Sequence, residues 1–587
     1  MKLQNILLIF LTLLSINLFV KPADNGGVPE SKSFVPMDLQ LPAEEDMSCG
    51  ETQEEEEMSC DEDQESAAIA FRAQEPNTLQ GLHEDIVSRV FMLLSEKEIA
   101  IAQQTCKWLK TCGDDFRKLI YTHLPQRDKD RKLIQAAKKG CLKWVKLLLD
   151  SKANINVQNK HRNTALIHAA NKGHADIVKL LISHGANVNL QGDHNSTALI
   201  VAAGRGHTAI AKALLKQEAE INLHNTNGFS ALNMASKYGH EKIVQLLLDK
   251  GANTEIQTQP TRDTALMLAT RNNHINIIRM LLAKEANVNI QDNFGWTTLL
   301  HACECGKHDI VKLLLEAGAN PDIKQDGDSR TALMYASQRG LYDIVNMLLC
   351  KNADHNLQTS TGDTALMYAA WAGYFDIVKL LLDSGADPNL QDRDGQTALI
   401  QAYYNKQTDV IKLLVERHAN IYLEADGEST IFKLACQDGN YDIVRYLLDS
   451  GMDPNICDSH GKTSLIYAAA KGHDAIVSLL LNRGANIDLQ DKQGLSALMG
   501  TIATLQPFTA KYLLRRRANP NLQDITGNTA LILASQQGLP CMVNLLLDHG
   551  ADPTIRNKRG VSALDIAAGV AKKHIVKELQ KYGARYK

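Results

Sequence analysis

The feature that most constrains this chain is a spacing. Short tetrads of the Thr-Ala-Leu type open at Thr164, Thr197, Ser230, Thr264, Thr297, Thr331, Thr364, Thr397, Ser429, Thr463, Ser496, Thr529 and Ser562, with 32 to 34 residues between successive openers. Arg131 extends the series one step back, which gives fourteen units running almost to Lys587. A single hydrophobic core stops growing beyond roughly 250–300 residues, so a chain of 587 residues must divide its core. A fixed period divides it into an array, in which each unit buries its apolar face only against its neighbours.

One unit shows the local grammar. The Thr164 hydroxyl is placed to cap a helix. Ala165, Leu166, Ala169 and Ala170 follow at helical spacing and are small enough for close stacking. Gly173 ends that helix in the left-handed conformation of a C-terminal cap. Ile177, Val178, Leu180, Leu181 and Ile182 form a second apolar helix, Gly185 closes it, and Asn187 to Gln191 leads into a turn. The pattern recurs at Asp376 to Asn389 and at Cys541 to Pro553. Three units depart from it: Lys406 replaces a Gly, the Ser429 unit carries Ile431 for the tetrad Leu, and Pro507 must open a second helix. Lys572, Lys573, Lys577 and Lys581 suit a solvent-facing last unit. The spacing therefore predicts an all-α solenoid over residues 127–587, built of helix-turn-helix units with β-turn tips. It resembles the ankyrin repeat. That resemblance implies protein partners, bound on the concave face and at the turn tips.

The N-terminal part reads differently. Lys2, an apolar run from Ile6 to Val20, and Lys21-Pro22-Ala23 predict a signal peptide over residues 1–23. An uncleaved membrane anchor is the alternative, although a span needs about 20 apolar residues. No other stretch could cross a bilayer, so no stable span is expected once the signal is removed. From Asp24 to Glu75 sixteen Asp/Glu face two Lys/Arg. Residues 24–76 are accordingly read as a disordered acidic linker. Against the overall charge of -4 the remainder is only mildly basic, too dispersed for nucleic-acid binding. Eleven scattered Cys follow no disulfide framework and suit a reducing compartment.

Residues 77–126 form a third segment. Leu82, Ile86, Val90, Phe91 and Leu94 fall at helical spacing, Ile99 follows Glu98, and Thr105-Cys106-Lys107 leads to Trp108. This resembles the F-box, with His83 where that family usually has Pro. The resemblance implies docking onto a Skp-type adaptor of a cullin ubiquitin ligase, with Leu82, Ile86, Val90, Phe91, Leu94, Ile99, Cys106 and Trp108 dividing between internal packing and adaptor contact. The other reading is an N-terminal cap for the solenoid. An export signal beside a eukaryotic cytosolic module is expected of a secreted effector from an intracellular bacterium, acting in a host cytoplasm. A passive scaffold remains the alternative.

Four residues after their openers stand His168, His301, Tyr335, Tyr368 and Tyr467; seven after stand Trp371 and Tyr404. Tyr335, Tyr368, Trp371 and Tyr404 lie on adjacent units and are the candidate target-binding residues of the concave face. The tyrosines could instead pack between neighbouring inner helices. His174, His207, His240, His274 and His473 recur after Gly or Asn. Their stacking at roughly 8–10 Å is too wide for zinc ligands at about 2 Å, so they are read as structural. No catalytic motif, metal site or cofactor is expected.

Overall fold

The computed structural model describes residues 124–425, 429–570 and 572–583. The signal-peptide and acidic-linker readings lie outside these residues. So do the F-box-like positions Leu82, Ile86, Val90, Phe91, Leu94, Ile99, Cys106 and Trp108. The described residues are helical, without strands, and run from Gln126–Lys139 to Lys573–Lys581 as antiparallel helix pairs. Isolated antiparallel bridges such as His224 to Ser230 and Cys457 to Thr463 close the turn tips.

Each pair forms for the reasons legible in its residues. The Thr164 hydroxyl accepts the Ile167 N–H at 3.2 Å, and the same bond recurs at Thr197, Thr297 and Thr529. Gly173 sits at φ 82, where a β-carbon would be strained. It would also meet the His207 ring of the next unit at 2.8 Å. The core is continuous and runs unit to unit through Ala, Leu, Ile and Val. The first helices pack more closely on one another than the second helices do, which makes their row the tighter, inner side of the stack.

Side chains stitch the units along both edges. Nε2 of His174, His207, His240, His274 and His473 lies 2.9 to 3.3 Å from a backbone carbonyl of the preceding unit. Lys307 replaces the imidazole and donates to the carbonyls of Thr270 and Arg271. These are structural histidines, as the spacing implies. At the tips, Gln291, Gln358, Gln391, Gln490 and Gln523 each donate to a carbonyl of the following unit at 3.0 to 3.1 Å.

One register expectation is corrected. The unit assigned to Ser429 opens at Thr430, whose hydroxyl accepts the Lys433 N–H at 3.2 Å, while Ser429 pairs with Ala425 in the turn bridge. Ile431 is therefore not a substitute for the tetrad Leu. That place belongs to Phe432, 1% exposed and among the largest fully buried side chains. The frame from Thr397 to Thr463 thereby becomes regular. Lys406 takes the left-handed conformation of the glycine it replaces (φ 59), and Pro507 opens the helix Pro507–Arg515 as its missing N–H permits.

Candidate protein-binding surface

The inner face of the units opened by Thr264, Thr297, Thr331, Thr364 and Thr397 carries a run of polar and aromatic side chains. A turn residue five places before the opener prepares it. Asp292 Oδ1 accepts the N–H groups of Phe294 and Trp296 at 2.8 and 2.9 Å, and Asp392 Oδ1 those of Asp394 and Gln396 at 3.0 and 2.7 Å. The residue four after the opener reaches back to this turn. His301 lies 3.1 Å from Asp292, Gln401 donates to Asp392 at 3.1 Å, and Tyr467 donates to Asp458 at 2.6 Å. This explains why polar rings recur at that position. At Asp458 burial opposes ionisation. Hydrogen bonds from Lys433 (2.7 Å) and Tyr467 and the Lys433 charge outweigh it and bring the carboxyl to about 2.

At the Thr264–Thr297 junction a buried ion network fills the face. Asp263 and Asp292 are both 3% exposed. Arg271, on the helix Ala265–Arg271, lies between them, 3.0 Å from Asp263 and 2.9 Å from Asp292. Its second amino group is 2.8 Å from His301. The three acidic and imidazole ligand atoms are close enough for a metal ion, but the guanidinium already supplies the positive charge there. The sequence reading missed this network. Its members lie up to 38 residues apart and meet only when adjacent units stack.

Aromatic rings continue the face. Trp296 stacks on His301 and meets Tyr335 at a tilt, each at 4.9 Å between centroids. Arg330 lies over Tyr368 at 4.9 Å and over Tyr335 at 5.7 Å, and donates to Gln338 at 3.0 Å. Tyr335 is consequently buried and Tyr368 half-buried, and burial pushes both phenols up. Of the four residues assigned to target binding, Tyr335 therefore packs between units, which was the other reading of the tyrosines. Trp371 and Tyr404 are 51% and 47% exposed. Each stands one helical turn beyond another inner-face residue, Tyr368 under Arg330 and Gln401 bonded to Asp392.

The family model described as ankyrin repeats (3 copies) matches in overlapping windows from residue 99 to 491 and from 498 to 587. The chain belongs to the ankyrin-repeat family. Ankyrin-repeat proteins are typically non-enzymatic scaffolds that bind protein targets, and this ankyrin-repeat chain has the protein-interaction role of the family. A search of curated proteins finds no match. The first family window begins inside the segment read as F-box-like. No helix among the described residues is long and apolar enough to cross a membrane.

Proposed function

We propose that the ankyrin stack captures a protein target on the inner face of the units opened by Thr331, Thr364 and Thr397, and that residues 77–126 bring this target to a Skp-type adaptor of a host ubiquitin ligase after export. The observation that supports target capture is the pair of exposed aromatics on consecutive inner helices, Trp371 and Tyr404. Trp and Tyr are, with Arg, the side chains most enriched among interface hot spots. No chemistry is assigned to the chain. It acts by proximity, raising the effective concentration of the target at the ligase.

Two comparisons test the two halves. Residues 24–587 are incubated with a eukaryotic Skp-type adaptor, beside the variant Ile86→Asp, Leu94→Asp with unchanged circular dichroism. Adaptor binding lost in the variant supports recruitment; no binding by the folded wild type removes it. Target capture lost in Trp371→Ala, Tyr404→Ala at unchanged melting temperature supports the inner face, and unchanged capture moves the target elsewhere. A second reading has an observation of its own. The family match already includes Ile99, Cys106 and Trp108, as it would if those residues capped the array of a passive scaffold.

A further inference from the structure

The inner face carries the same acid pair twice, at positions offset by 100 residues. Asp263 and Asp292 make the first pair, Asp363 and Asp392 the second. The surroundings are repeated too. Thr261 donates to Asp263 at 2.7 Å and Thr361 to Asp363 at 2.6 Å. The turn N–H groups bound by Asp292 have their equivalents at Asp392. His301 beside Asp292 is replaced by Gln401, 8% exposed, whose amide donates to Asp392 at 3.1 Å and to Asp363 at 3.3 Å.

The pairs differ in their cation. In the first, Arg271 bridges the two carboxylates. At the equivalent position of the second stands Trp371, half exposed, and among the described residues neither Asp363 nor Asp392 makes an ion pair. The carboxyls differ as well. Burial opposes ionisation at both. At Asp292 hydrogen bonds from His301, Trp296 and Phe294 outweigh it and hold the group below its ordinary value. At Asp392 burial prevails, the charge of Asp363 adds to it, and the group is raised. Residues 325–404 also hold ten Asp/Glu against five Lys/Arg, so the local field attracts cations.

We propose that the inner face around Asp363, Asp392 and Trp371 is the docking point for an arginine side chain of the partner protein. The first pair shows the recognition chemistry, a guanidinium hydrogen-bonded to two carboxylates at 2.9 and 3.0 Å. Arg330 over Tyr335 and Tyr368 shows that an aromatic surface of this face holds the same group. At the second pair a partner guanidinium finds both partners at once, carboxylates for its N–H groups and the Trp371 ring for its face. A lysine fits less well, because it cannot bond two carboxylates in a plane.

This inference rests on inner-face capture, and its test separates the two. The full chain, labelled with 15N at tryptophan, is titrated with a blocked Gly-Arg-Gly peptide and with its citrulline twin, which keeps the shape and loses the charge. The Trp371 indole signal is identified by its loss in Trp371→Phe. The expected result is a shift of that signal by the arginine peptide, with roughly ten- to a hundredfold weaker binding of the citrulline peptide. Asp392→Asn and Asp363→Asn, each with an unchanged melting transition, should weaken the arginine peptide similarly. Equal response to both peptides, no response, or insensitivity to both Asp variants overturns the proposal. Target capture that depends on Tyr404 but not on Asp392 would overturn arginine docking while inner-face capture stands.

Discussion

The two acid pairs of the inner face have the same backbone frame and opposite electrostatic outcomes. Around Asp263 and Asp292 the chain supplies Arg271, and the charges close into a network only 35% open at the guanidinium and covered at the carboxylates. Around Asp363 and Asp392 it supplies Gln401, a neutral donor, and an exposed indole. A repeat array makes such a comparison clean, because stacking fixes the same positions in both units. The first junction spends its charges on holding units together. Among the described residues the second gives its two carboxylates no ion pair and sets an exposed aromatic at the position of Arg271, which suits contact with another molecule.

The largest effect is expected at the first pair. Arg271→Ala leaves two buried carboxylates facing each other, and should cost about 3–5 kcal/mol in a urea unfolding curve. A loss below about 1 kcal/mol would mean that water already screens the pair. Asp292→Asn should cost about 1.5–3 kcal/mol at neutral pH, since it removes a charge-assisted bond to Arg271. Because the Asp292 carboxyl is held below its ordinary value, this contribution is present above the normal carboxylate range. It is lost as pH falls through the lowered value. The gap between wild type and Asp292→Asn should therefore narrow in acid.

The second pair should respond in the opposite sense and more weakly. Trp371→Arg supplies the counter-charge found in the first pair and should stabilise the chain by about 1 kcal/mol while abolishing binding of the arginine peptide. Destabilisation with retained peptide binding would break the equivalence of the two junctions. Asp392→Asn should lie within about 0.5 kcal/mol of wild type or above it. Its carboxyl is raised by burial, so the folded state takes up its proton more readily than the unfolded chain. Wild-type stability at this site then falls as pH rises through the raised value, and the variant lacks that slope.

Much of this frame is legible in the residues. The period, the hydroxyl caps at Thr164 and Thr529, the terminating Gly173 and the stacking role of His174 and His473 all follow from local patterns that repeat. The register at Thr430 is ambiguous in the residues because Ser429 also carries a hydroxyl. Only the burial of Phe432 shows which one begins the helix. The binding surface is less legible, since it is made between units. Trp371 and Tyr404 stand out as aromatics at one helical position, yet the fate of Tyr335 depends on Trp296 and Arg330 from neighbouring turns. The acid pairs join the residue before one opener to a turn residue 29 places later. Their 100-residue offset was the signal present in the sequence, visible once units are aligned by opener.

The two junctions differ by two exchanges, Arg271 for Trp371 and His301 for Gln401, and the first of them is the one to test. The most direct measurement follows the Asp392 side-chain carboxyl 13C signal through pH in the full chain and in Trp371→Arg, with the signal assigned by its loss in Asp392→Asn. The expected result is a carboxyl above the ordinary value of about 3.9 in the wild type and a lower one in Trp371→Arg, where a guanidinium favours the charged form. A wild-type carboxyl at or below the ordinary value, or one that does not move when arginine is introduced, would contradict the account.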